Sequence, residues 1–278
     1  MKTRVFTAII MVALMVPFFV FGDTPALPSL MAFFSAVGVI ELCKCIGVRI
    51  KSVIAVIFIL ISAGMPFILR YSGNTFGGEG LYGIALIAVV GLILSVVLHK
   101  KYDITQISTL ILFTAYISFG FSAVAKLRTS FDGVFMVYMP FIVSWTTDTF
   151  AYFSGMLLGK RKLIPEVSPK KTVEGAIGGT LCSVILSTAA LLIYGHYADK
   201  RANIAVIVAV CLVLSVVSQL GDLIMSLLKR KYGVKDYGKL FPGHGGVLDR
   251  FDSVILVSSV LLLITGFFTE SIFFGYVL

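Results

Sequence analysis

The chain has 278 residues, 58% of them hydrophobic and 13% charged, with a mean hydropathy of +1.02. Water-soluble domains carry roughly 45–50% apolar and about 25% charged residues, so these figures exclude one and point to a bilayer as solvent. Lys and Arg number 23 against 14 Asp and Glu, a basic excess that suits nucleic acid, anionic lipid or a phosphorylated substrate until the charges are placed.

In chain order, runs of about 20 mostly apolar residues predict nine transmembrane helices, over 5–22, 27–48, 52–70, 81–98, 104–125, 134–158, 172–194, 204–228 and 253–277. The expected fold class is all-α, a polytopic integral membrane protein of about nine helices. Lys2 and Arg4 before the first run also suit a signal peptide, against which Met15 to Asp23 offers no convincing small-x-small cleavage site. Glu41 and Lys44, one helical turn apart in the second run, read as a buried structural ion pair. Cys43, Cys45, Cys182 and Cys211 lie in apolar runs without zinc or disulfide spacing and read as small buried hydrophobes.

Sorting the cations by loop sets the orientation. Alternate connections hold 17 Lys and Arg, the others hold Arg70, Lys126, Arg128, Lys200 and Arg201, and Lys44 falls within a span. Cytoplasmic loops are the Lys- and Arg-rich ones, so the N-terminus is expected in the cytoplasm and the C-terminus outside. Residues 1–125 then form a lipid-facing scaffold available for dimer contacts. Residues 126–278 form a catalytic region with cytoplasmic loops 159–171 and 229–250.

Two of those connections carry the unusual residues. Ser144, Asp148, Tyr152 and Gly155 recur at helical spacing and share a face of the sixth run, and a carboxylate at membrane depth normally faces a polar cavity. The stretch Ser168-Pro-Lys-Lys-Thr-Val-Glu-Gly reads as a helix start, with Ser168 as cap, Thr172 and Glu174 near the first turn, and Lys170 and Lys171 suited to a phosphate. In the second connection Ser218, Asp222, Ser226, Lys229 and Arg230 form a polar stripe. Gly243, Gly245 and Gly246 around His244 form a loop able to approach a ligand, and Asp249 and Asp252 lie three apart on the following helix. Carboxylates beside Lys, Arg and a glycine-rich backbone suit a Mg²⁺–polyphosphate complex.

This second segment closely resembles the signature of the phosphatidate cytidylyltransferase (CDP-diacylglycerol synthase) family. The match runs through Ser226, Leu228, Lys229, Arg230, Lys235, Asp236, Gly238, Phe241, Pro242, His244, Gly245, Gly246, Val247, Asp249, Arg250, Phe251 and Asp252. The Ser168 to Gly175 stretch and the face at Asp148 are also similar to the family, so the resemblance covers about 144–252; the first five runs resemble it only in being hydrophobic.

The resemblance implies CTP and phosphatidic acid as substrates, CDP-diacylglycerol and pyrophosphate as products, Mg²⁺ with a second metal ion as an option, and a homodimer. It also implies an integral protein of the cell inner membrane or its equivalent, with the site facing the cytoplasm and no nucleic-acid partner. Under it, Asp222 and Asp249 are the first metal-ligand candidates, with Asp252 and Asp148 behind them. Lys229, Arg230, Lys235 and Arg250 are expected on the triphosphate, and Lys170 and Lys171, with Thr172, Glu174, Ser226, Gly245 and Gly246, in substrate binding. His244 is expected to donate to the departing pyrophosphate. The diacyl tails would stay at membrane depth, which asks for a cavity open both to water and to the inner leaflet. Two other readings are a CTP-dependent polyprenol or phytol kinase, which would release CDP, and an anionic-solute transporter.

Overall fold

The computed structural model describes residues 13, 15–73, 78–243, 245–266 and 271–276. Helical residues 15–20 precede α1 (Ala26–Cys45), α2 (Val53–Tyr71), α3 (Gly78–Val97) and α4 (Ile104–Leu127). A single turn, α5 (Gly133–Met136), leads into α6 (Met139–Leu158), and the strands β1 (Lys162–Ile164) and β2 (Ser168–Thr172) pair as an antiparallel hairpin. There follow α7 (Val173–Tyr197), β3 (Lys200–Ala202), α8 (Ile204–Lys231), α9 (Leu248–Gly266) and β4 (Phe274–Tyr276). The chain is mostly helical, in keeping with a polytopic membrane protein, and adds two small two-stranded sheets.

Polar residues at the run ends set the helix starts. Ser52 accepts the Ala55 N–H, Asp103 forms a reciprocal capping box with Gln106, and Thr172 accepts the Gly175 N–H. Thr172, not Ser168, therefore caps α7, because Ser168 lies in β2, five residues before the helix begins. The sixth run is also divided. The turn α5 ends before Tyr138, and α6 restarts with Pro140 in its first turn, where a missing N–H costs nothing.

Six helices among the described residues are long and apolar enough to cross a bilayer: α1, α2, 80–97 of α3, α4, α7 and α8. Two further long helices, α6 and α9, carry Asp148 in one and Asp249, Arg250 and Asp252 in the other. The last run needs a correction: its helix spans Leu248–Gly266, and residues 274–276 pair antiparallel with β3. A hydropathy scan starts after the charges of the first turn, whereas the backbone begins the helix before them. Residues 5–12 and 14 of the first run, and 267–270 and 277 of the last, lie outside the described residues.

Phe34, Phe121, Phe141 and Phe251 meet in the core between α1, α4, α6 and α9. Small hydroxyls join helices at depth: Ser35, Ser62 and Ser118 are fully buried and hydrogen-bonded in series. Successive long helices reverse direction, which separates two polar ends. At one end Asp23 receives Arg128 at 2.7 Å and Arg70 at 4.0 Å, and Lys200 pairs with Asp132. Lys171 and Lys229 are at the other.

Candidate active site

The helices α6, α7 and α8 meet beside the β1–β2 hairpin around a cavity of about 300 Å³ lined by Asp148, Tyr152, Lys170, Lys171, Gln219 and Asp222 among others. A close crossing shapes it. Gly175 and Gly179 of α7 face Ala151 and Gly155 of α6, and a Cβ on Gly179 would stand 2.7 Å from that of Ala151. Such small residues at four-residue spacing let two membrane helices approach and bring their polar faces together.

The cavity is charged on two walls. Lys171 Nζ is 2.5 Å from an Asp222 carboxylate oxygen, with side-chain exposures of 23% and 25%. Ser226 Oγ donates to the other Asp222 oxygen at 3.1 Å, and Ser253 Oγ to Asp148 at 3.4 Å. Asp148, Asp222 and Asp252 are close enough to repel one another, with Lys171 acting on Asp148 and Lys229 on Asp252 as counter-charges. All the donors here are hard oxygens, which suit Mg²⁺ rather than a soft metal. Among the described residues no three His, Cys, Asp or Glu side chains are arranged to hold one ion.

A second, apolar groove of about 490 Å³ runs along α7 and α8, lined by Ile164, Ile177, Leu181, Val216, Leu220 and Leu223, among others. It shares Leu163, Ala176 and Gln219 with the charged cavity. Gln219, to which sequence reasoning gave no role, stands at the junction. Its amide donates to Ala176 O at 3.2 Å and Thr180 Oγ1 at 2.8 Å, tying α8 to α7. The signal available was an amide on an otherwise apolar run, one residue from Ser218.

The other expected residues divide clearly. Asp249 is 3% exposed in its side chain; it accepts Lys229 Nζ at 2.9 Å, Tyr237 N–H at 2.8 Å and Gly246 N–H at 3.0 Å. It thereby closes the loop between α8 and α9. Tyr237, buried in that loop, donates to Met225 O at 2.7 Å, and burial pushes its phenol well above the usual range, so it stays protonated. Glu174 turns away from the cavity and accepts the Lys160 and Arg161 N–H groups at 3.0 and 3.1 Å, clipping the start of α7 to the connection between α6 and β1. Arg230 donates to Val167 O at 3.2 Å, while Lys235 and Arg250 are exposed. Ser144 is buried outside the cavity lining, and His244 lies outside the described residues.

Gly245 and Gly246 are small for a reason internal to the protein. A Cβ on Gly245 would lie 2.7 Å from Asp249 Oδ2, and one on Gly246 2.2 Å from Glu41 Oε1. Glu41 also has no buried partner in Lys44, which is exposed; it accepts the Val247 and Leu248 N–H groups instead.

Comparison with known proteins identifies the family. The sequence model of the cytidylyltransferase family matches residues 2–268. Phosphatidate cytidylyltransferase of Staphylococcus haemolyticus is 34% identical over 263 residues, covering 94% of this chain and 97% of the relative. The Staphylococcus aureus protein of the same name is 33% identical over the same shares of the two chains.

Proposed function

Because this chain belongs to the cytidylyltransferase family, we propose that it transfers the cytidylyl group of CTP to phosphatidic acid, giving CDP-diacylglycerol and pyrophosphate. It is a nucleotidyltransferase embedded in the membrane. The observation that carries the reading is the charged cavity at Lys171 and Asp222 continuing into an apolar groove through Leu163, Ala176 and Gln219. A lipid phosphate needs both environments within one molecule's length.

Lys170 and Lys171 take the lipid phosphate at the mouth of the groove, and one acyl chain lies along α7 and α8. Lys229, Arg250 and Lys235, in and beside the connection between α8 and α9, take the triphosphate, and Arg230 braces the hairpin. A phosphate oxygen of phosphatidic acid attacks the α-phosphorus of CTP in line. The new P–O bond forms as the bond to the bridging oxygen breaks, and pyrophosphate leaves with that electron pair, His244 being placed by sequence to donate to it. The nucleophile is already an anion, so positioning and charge neutralisation matter more than a general base.

Mg²⁺ would be held by Asp222 with Asp148 or Asp252, supplying charge neutralisation at the triphosphate. One or two carboxylates plus substrate phosphates is the usual arrangement for this ion, so a three-residue cage is not required. Asp249, whose oxygens already accept three donors, orders the loop.

We place the N-terminus and the loops 159–171 and 229–250 in the cytoplasm, with nine spans and a homodimeric assembly. Purified protein given phosphatidic acid, CTP and Mg²⁺ should form CDP-diacylglycerol and pyrophosphate in equal amounts. Release of CDP would mean a lipid kinase, and solute uptake into vesicles without CTP turnover a transporter; either result would defeat the proposal.

A further inference from the structure

The residue of the N-terminal half that reaches furthest into this chemistry is Glu41. Its side chain, 3% exposed, spans the gap from α1 to the start of α9, where one carboxylate oxygen accepts the Val247 N–H at 3.0 Å and the other the Leu248 N–H at 2.9 Å. These are orphan donors at the positive end of a helix, so the charge is met mainly by backbone dipoles, with Lys44 acting on it from one turn away. The fit is tight on two sides, since a Cβ on either Gly238 or Gly246 would stand 2.2 Å from Glu41 Oε1. From the other side Asp249 holds the Tyr237 and Gly246 N–H groups and Lys229. The described residues of the connection, 237–243 and 245–247, are thus held between two buried carboxylates, Asp249 of α9 and Glu41 of α1.

We propose that Glu41 is a positioning residue for the nucleotide. It occupies the helix end that would otherwise attract phosphate, and it holds the loop that joins Lys229 at the end of α8 to Arg250 at the start of α9. The inference rests on the assignment of those two cations to the triphosphate. Lys170 and Lys171 stand on β2, with no bond to loop 237–249 among the described residues, so the effect of losing Glu41 should fall on CTP and spare the lipid.

The test is steady-state kinetics on the full-length Glu41→Gln, Glu41→Ala and Gly246→Ala proteins, varying CTP and phosphatidic acid in turn. Hydrogen exchange is followed by mass spectrometry on the same samples. Glu41→Gln keeps one acceptor of two, and KM for CTP should rise about tenfold, the scale of one charge-assisted hydrogen bond. Glu41→Ala should rise further, while KM for phosphatidic acid stays within about twofold, since its lysines sit elsewhere. Gly246→Ala presses on the carboxylate from the loop side and should reproduce the selective rise. Exchange should quicken in peptides covering 237–248 and not in those covering α7. Equal movement of both KM values, no movement of either, or unchanged exchange at 237–248 would overturn the proposal. Exchange reads the anchoring without turnover, so a wild-type protein inactive on CTP would sink the function while leaving the role of Glu41 in the loop decided.

Discussion

The ion pair of Lys171 with Asp222 borders the cavity, and both side chains are about a quarter exposed, so a ligand can reach and exchange with either charge. The pair of Lys229 with Asp249 is far more enclosed, at 12% and 3%. The two aspartates should therefore fail differently. Asp222→Asn is expected to lower turnover about a hundredfold or more with the thermal melt in detergent unchanged. Asp249→Asn strips a buried cation of its partner and weakens the holds on Tyr237 and Gly246, a loss of about 3–5 kcal/mol of stability, read as a lower melting temperature together with lost activity. Equal melts for the two variants would contradict this division. Both aspartates stand out in the sequence as charges within or beside apolar runs. What the sequence does not reveal is which backbone groups a carboxylate finds once the chain folds. Glu41 is the sharpest case: the neighbour one turn away suggests an ion pair, but the real partners lie more than 200 residues on.

At the scale of elements, helix positions follow hydropathy closely where a polar cap bounds the apolar run, as Ser52 does for α2 and Asp103 for α4. They depart where function places charge in a first turn, as in α9, or where proline restarts a helix, as in α6. The β1–β2 hairpin was not legible, because five residues such as Ser168–Thr172 carry two lysines and a proline and show no strand periodicity. Glycines at 175 and 179 were visible, but the close approach to α6 that explains them is a tertiary fact. The groove along α7 and α8 yields its own prediction. A tail leaving the bilayer gains no hydrophobic energy, so the groove acts by orienting the lipid. Val216→Trp should lower kcat on dioleoyl phosphatidic acid by about tenfold to a hundredfold and leave the dihexanoyl substrate, too short to reach the indole, nearly unaffected. Equal loss on both substrates would remove the groove from the lipid path.

Across the whole molecule, the basic excess is distributed with purpose. At one end Arg70, Arg128 and Lys200 are bound to Asp23 and Asp132. At the other, Lys170, Lys235 and Arg250 are exposed around the cavity and its loop. The orientation can be read by impermeant thiol labelling in sealed inside-out vesicles, since the native cysteines are buried or half-buried. Lys235→Cys should label at once and Arg201→Cys only after permeabilisation, and the reverse order would invert the topology.

The central claim is that the cavity joins the α-phosphorus of CTP to a lipid phosphate, and parallel reactions with CTP labelled at the α- or the γ-phosphorus address it most directly. The α-label should enter the lipid fraction and the γ-label should appear only in pyrophosphate, with neither transfer in Asp222→Asn. Entry of the γ-label into lipid, or undiminished transfer in that variant, would contradict the account.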